Sequence, residues 1–216
     1  MSKSSLFDSF EATSEKQWKQ KIQFELQGKE FNDSLVWKSL EGIDVKPFYH
    51  SDSYSKLPKI EYNSSDWKIG HSIFVNSVEK SNSHALDLIK NGIESLYFVI
   101  PKELISIEAL LENIDLALIT IYFETLFISE NFTTTLQQYS TKKNTRFYIL
   151  NDPIGQLSKT GNWFENIKSD IENLNKILIS GNELKGVISV DLGLFQNAGS
   201  SMVQQLAYTL AHVNEY

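Results

Sequence analysis

Apolar positions follow two different patterns along this chain. Up to residue 66 they are scattered. Ser14 followed by Gln17 reads as a capping box. Beyond it Trp18, Ile22 and Leu26 recur at i, i+4, i+8, one face of a helix that Gly28 would stop. Leu35–Leu40 alternates weakly and meets Glu41-Gly42, and residues 43–66 show no period. This pattern predicts an extended arm, residues 1–66, with one short helix. It holds Phe7, Phe10, Trp18, Phe24, Phe31, Trp37, Phe48, Tyr49 and Tyr54, but too little contiguous apolar sequence for a core of its own. Its rings therefore need another surface to cover them, and Trp18, Phe24, Trp37 and Tyr49 are the interface candidates.

From Trp67 the pattern becomes regular. Apolar runs at Ile69–Val75, Leu96–Ile100, Leu116–Phe123, Phe147–Leu150 and Val187–Leu192 predict five strands. Helices are expected near 79–91, 103–113, 130–142, 162–179 and 199–213. The fourth carries Trp163, Ile167, Ile171, Leu174 and Leu178 as a stripe, and the last points Val203, Leu206, Ala207 and Leu210 inward. Near-continuous apolar strands alternating with helices indicate a parallel sheet, either doubly wound or part of a barrel. Five β/α units fall short of the eight that a (β/α)₈ barrel needs. Such a sheet leaves an inner face uncovered, expected to present Ile73, Phe98, Ile119 and Ile149 or their neighbours, so self-association is expected.

Composition narrows the function. The net charge is −7 and no basic stripe stands out, which argues against nucleic acid and anionic membranes as partners. There is no cysteine, hence no thiolate chemistry, and a cytoplasmic location is expected. No signal-like or membrane-spanning apolar run is present. Arg146 is the only arginine, so the bidentate fork that grips phosphates and carboxylates is available once, at the start of the fourth strand, where a stability or interface role is expected.

Chemistry-bearing motifs are sparse. His50, His71, His84 and His212 are far apart, with no metal-ligand spacing; His71, on the first strand of the regular region, is the one that could point inward. No phosphate-binding glycine loop follows a strand. The loop Asn151-Asp152-Pro153-Ile154-Gly155-Gln156 follows the fourth strand, so Asn151, Asp152 and Gln156 are weak substrate-binding candidates against a reading as a polar turn. Asp191 joins them from the fifth strand, and Glu124 lies just past the third, with nothing in the sequence to bring the two together.

One stretch adds more. Ile188-Ser189-Val190-Asp191-Leu192-Gly193-Leu194-Phe195-Gln196-Asn197-Ala198-Gly199 reads as strand, loop and helix start. It resembles the segment of methylmalonyl-CoA mutases that runs Gly-Tyr-His-Met-Gln-Glu-Ala-Gly in catalytic subunits. Aligned on Gln-x-Ala-Gly, the family's Tyr falls on Gly193 and its His on Leu194. Trp37-Lys38-Ser39-Leu40-Glu41-Gly42-Ile43-Asp44-Val45-Lys46-Pro47-Phe48-Tyr49 is similar to the family's arm motif. Trp67-Lys68-Ile69 with Ser81-Asn82 resembles the entry into its barrel, and Leu206-Ala207-Tyr208-Thr209-Leu210-Ala211 resembles a later helix. The Arg-Gly-Pro-Tyr-type segment of catalytic subunits is missing between Pro58 and Trp67, and no Asp-x-His-x-x-Gly cobalamin motif occurs.

The resemblance implies an α/β fold: a partial TIM-type barrel of about five β/α units, residues 67–216, preceded by the arm. It implies the N-terminal portion of a small, non-catalytic subunit that stabilises the catalytic large subunit of a heterodimeric mutase. The holoenzyme would interconvert methylmalonyl-CoA and succinyl-CoA with adenosylcobalamin, which this chain would not bind. No residue of this chain would then be catalytic or ligate a metal. The competing reading is an autonomous acyl-CoA or small-molecule binding domain that uses the loops after the fourth and fifth strands.

Overall fold

The structure, a computed structural model, describes residues 9–56, 59 and 66–216. Phe7, Pro58 and most of the segment leading to Trp67 lie outside them. The chain forms two compact units, residues 1–63 and 64–216.

In the first unit α1 (Glu15–Glu25) starts at the predicted capping box, with Ser14 accepting from Gln17 N and the Gln17 side chain accepting from Ser14 N. The arm holds more structure than one helix. There is also a short α2 (Phe31–Leu35) and a hairpin of β1 (Trp37–Lys38) with β2 (Asp44–Val45). Ring contacts hold these pieces together: Trp18 stacks on Phe48 at 4.5 Å and meets Phe31 edge-on at 6.3 Å. None of the arm's described residues is buried.

The second unit is built on a parallel sheet of β3 (Gly70–Phe74), β4 (Ser95–Ile100), β5 (Thr120–Thr125) and β6 (Tyr148–Ile149), in that spatial order. Chain order and spatial order coincide, so right-handed crossovers place the helices on one face. That face is the core. Ile73, Phe98, Phe123 and Ile149 lie in register across the four strands and are buried. They pack with Ala85 of α3 (Val78–Lys90), Ile107 and Leu110 of α4 (Ile107–Leu110), and Phe132, Leu136 and Tyr139 of α5 (Glu130–Lys143). Ser77, Ser106 and Ser129 cap these three helices, each accepting a backbone N–H.

The uncovered face carries the strand neighbours of the residues named from sequence, the second of the two expected sets. It does not present Ile73, Phe98 and Ile149, and Ile119, just ahead of β5, is buried as well. Period-two alternation puts Ser72, Tyr97, Tyr122 and Tyr148 there, again in register. The tyrosine rings stack at 4.3 Å and 4.6 Å, a ladder across the sheet. Gly70 makes room for it on β3, since a Cβ there would come within 3.1 Å of the Tyr97 ring.

The fifth strand is a second correction. Gly186 forms only a single parallel bridge with Tyr148. The backbone still tracks β6: Ile149 N donates to Gly186 O and Ser189 N to Asn151 O. The rung between them is replaced by a side chain, because Asn151 Nδ2 takes Val187 O at 3.0 Å. The ladder breaks there, and Leu192 opens a helix instead.

The helical end of the unit also departs from the pattern. Asp152-Pro153 is not a turn but the cap and first residue of α6 (Pro153–Thr160). The helix expected at 162–179 is α7 (Ile167–Ser180), which buries Leu174, Ile177 and Asp170, whose carboxylate accepts from Phe164 N and Glu165 N. Ile167, Ile171 and Leu178 are exposed. The last predicted helix, near 199–213, is α9 (Met202–Glu215), and a separate short helix, α8 (Leu192–Asn197), precedes it where the fifth strand was expected to end. Val203, Leu206, Ala207 and Leu210 of α9 face outward, and His212 is buried in their place. Apolar surface is therefore exposed on α7 and α9 as well as at Phe74 on the sheet.

Candidate functional site

A pocket of about 160 Å³ opens at the carboxyl ends of the strands, where α/β sheets place their sites. Glu124 arrives from the end of β5, Asp152 from the turn after β6, Gln156 and Lys159 from α6, and Ser189 and Asp191 from the segment beside β6. The sequence candidates Asp152, Gln156 and Asp191 are thus brought together with Glu124. Their convergence depends on α6 folding back over the sheet, which the reading of residues 151–156 as a loop did not supply.

Asn151 is not part of this pocket. It is buried, with Oδ1 accepting from Thr125 Oγ1 at 3.1 Å and Nδ2 bound to Val187 O, so it ties β5 to the strand-like segment. His71 does not point inward either. It is exposed at the sheet edge and meets His84 edge-on at 5.9 Å.

Asp152 is the most engaged residue of the group. Its Oδ1 accepts from Gly155 N at 2.7 Å, capping α6, and from the Tyr216 hydroxyl at 2.6 Å. Gly155 is required there, because a Cβ would fall 2.1 Å from Asp152 Oδ2. The Tyr216 oxygen in turn accepts from Ile154 N at 3.0 Å. His212 Nε2 lies 2.8 Å from Asp152 Oδ1 but off the line of a hydrogen bond, so both ring nitrogens are buried without a hydrogen-bond partner. This cluster anchors α9 to α6, and it explains why the polar side of α9 turns inward. Neither His212 nor Tyr216 was singled out from sequence. The Asp-Pro cap signal and the Thr209, His212, Tyr216 spacing on one face were the available clues.

Burial, together with the hydrogen bond to Asp152, raises the Tyr216 phenol above its ordinary range. The fold therefore favours the protonated phenol. Its contribution is complete below the unfolded tyrosine's value of about 10 and is lost as pH rises above it. Tyr216→Phe is expected to cost about 1 kcal/mol at neutral pH and to flatten the alkaline fall in stability. Urea titrations at neutral pH and above pH 10 check this; an unchanged alkaline slope would show that Tyr216 does not couple to folding.

The pocket's chemistry is acidic. Three carboxylates face one ammonium, Lys159, which lies 3.8 Å from Asp191. Such a lining repels an anionic ligand. Leu194 lies nearby in sequence, half-buried in the first turn of α8, where Asp191 Oδ1 accepts from Gly193 N at 2.9 Å. An alkyl side chain there can neither donate nor accept a proton. Among the described residues no group of three or more His, Cys, Asp or Glu side chains is arranged to hold a metal ion, and no helix is long and apolar enough to cross a membrane.

A singly wound parallel sheet, helices on one face and a small polar pocket at the carboxyl ends of its strands define an α/β protein of β/α-repeat type. No protein-family model matches the chain. It is similar to the methylmalonyl-CoA mutase small subunit of Porphyromonas gingivalis (strain ATCC BAA-308 / W83), 32% identical over 137 residues, which is 56% of this chain and 22% of that protein. It spans about a fifth of the length of the relative it matches.

Proposed function

We propose that this chain is the N-terminal portion of a small, non-catalytic subunit of a heterodimeric methylmalonyl-CoA mutase. Its sheet begins a TIM-type barrel, and its role is to stabilise the large subunit that interconverts methylmalonyl-CoA and succinyl-CoA. A cytoplasmic location belongs to the same reading. The observation that carries it is Leu194, an alkyl group that aligns with the family's histidine, three residues along the chain from Asp191. The relative's name, a small subunit, points the same way.

In the holoenzyme adenosylcobalamin would supply the radical chemistry. The residues of this chain do not fit that cofactor. His50 accepts from Asp52 N, His71 and His84 meet each other at the surface, and His212 is buried against Asp152. No histidine here has a glycine three residues on. The acyl-CoA binding alternative loses support from the pocket's small volume and three carboxylates, since coenzyme A esters are anionic.

Spectroscopic titration with adenosylcobalamin is expected to give no saturable change, and Leu194→His alone is expected to give no turnover. Mixing the chain with the catalytic subunit is expected to raise that subunit's thermal midpoint. Saturable cobalamin binding, turnover by the isolated chain, or no effect on the catalytic subunit would each overturn the assignment.

A further inference from the structure

The amino ends of the strands carry the opposite charge from the carboxyl ends. Lys68 precedes β3, Arg146 precedes β6, and Lys185 precedes the bridge residue Gly186. All three line one cleft of about 270 Å³. An adjoining hollow of about 340 Å³ shares Lys68 and Lys185 and runs over the ladder of Tyr97, Tyr122 and Tyr148. One carboxylate, Asp66, lines the hollow as well. The ion pairs among the described residues involve other side chains, so Lys68, Arg146 and Lys185 face the cleft without a carboxylate partner. In a chain of net charge −7 this is a local concentration of positive charge that folding creates.

The cations are held in place rather than dispersed. Lys68 Nζ donates to Thr120 Oγ1 at 2.8 Å, and Lys185 Nζ sits 5.1 Å from the Tyr148 ring centroid, capping the ladder. The chain's only guanidinium lines the same cleft, and it offers the fork that takes two oxygens at once. Burial and the flanking tyrosines raise the Tyr122 phenol, which keeps it a hydroxyl donor at neutral pH.

We propose that this cleft binds the phosphate group of a small phosphorylated molecule. A terminal phosphate carries about two negative charges and three acceptor oxygens, which matches three cations better than the single charge and two oxygens of a carboxylate. The volume admits a small molecule and not a chain segment. The site lies at the end of the sheet away from the pocket of Glu124, Asp152 and Asp191 and shares no residue with it.

Calorimetric titration of the full chain with pyrophosphate at low ionic strength is expected to show saturable one-site binding, weaker with added salt. Lys185→Gln and Arg146→Gln are each expected to weaken it about tenfold. Lys185→Arg and the distant Lys168→Gln are expected to leave it unchanged. Circular dichroism of each variant separates lost binding from lost fold. Pyrophosphate is also expected to protect Lys68 and Lys185 of the unmodified chain from acylation, read by mass spectrometry, a test that needs no variant. No saturable binding, equal affinity in the Gln variants, or no protection would overturn the site. Tighter binding of citrate than of pyrophosphate would overturn the assignment to phosphate.

Discussion

Phe123→Ala is expected to lower the stability of the α/β unit by about 3–5 kcal/mol, the usual cost of removing a fully buried aromatic side chain. Phe123 is 0% exposed at the centre of the sheet's helix-covered face. It stacks on Phe98 at 6.0 Å and meets Phe132 and Phe147 edge-on at 6.2 Å and 5.7 Å, so one ring joins β4, α5 and the entry to β6. No neighbour can fill the space without leaving its own contacts. For a unit of this size the thermal midpoint should fall by about 10 °C. Its neighbour Tyr122 gives the internal comparison. It lies on the opposite face, where its ring stacks between Tyr97 and Tyr148, and Tyr122→Ala is expected to cost about 1–2 kcal/mol. Urea unfolding followed by circular dichroism measures both. Equal losses at 122 and 123 would mean that the two faces are not differently covered, and the singly wound arrangement would be wrong.

That comparison also marks the limit of what the pattern of residues conveys. The strands were legible because Ser95–Ile100 and Thr120–Thr125 are short, β-rich runs bounded by turn residues. Which side faces the helices was not, because both alternating sets in Leu96-Tyr97-Phe98-Val99 are apolar or aromatic. Helices α3 and α5 carry their own start signals, Ser77 and Ser129, and fell close to expectation. Helix α6 carried one too, in Asp152-Pro153, but that dipeptide serves turns as readily as caps. Missing it hid the pocket, since Gln156 and Lys159 reach Asp191 only from a helix. The inward face of α9 does not follow its apolar stripe: the Tyr216 hydroxyl bonds Asp152 and His212 is buried beside that carboxylate, while Leu206 and Leu210 stay exposed. The fifth strand shortens to one bridge, beyond which the Asn151 side-chain amide rather than a backbone N–H donates to Val187 O.

The second large effect is expected in the arm. The structure separates its aromatic residues into two groups that the sequence had grouped together. Trp18 is engaged inside the arm, stacked on Phe48 and edge-on to Phe31. Phe24, Trp37 and Tyr49 are exposed, at 81%, 65% and 52%, and the hairpin adds Leu40 and Ile43 to the uncovered surface. A segment with no buried residue among those described is a poor candidate to hold such rings in water for its own stability. Trp and Phe anchors that lose all contact with water on binding are the residues that dominate interfaces. Under the proposed assignment the arm docks on the catalytic subunit through Phe24 and Trp37, while Trp18 shapes the surface that presents them. Replacing both Phe24 and Trp37 with Ala is therefore expected to weaken binding to the catalytic subunit about 100-fold while leaving the chain's circular dichroism unchanged. Trp18→Ala is expected to alter the aromatic dichroism of the arm itself, and deleting residues 1–30 should abolish binding by removing α1 together with Phe24. Surface-immobilised catalytic subunit and the purified chain suffice for the measurement. Unchanged affinity in the double variant, with the fold intact, would show that the arm is a local brace and that the partner is held elsewhere.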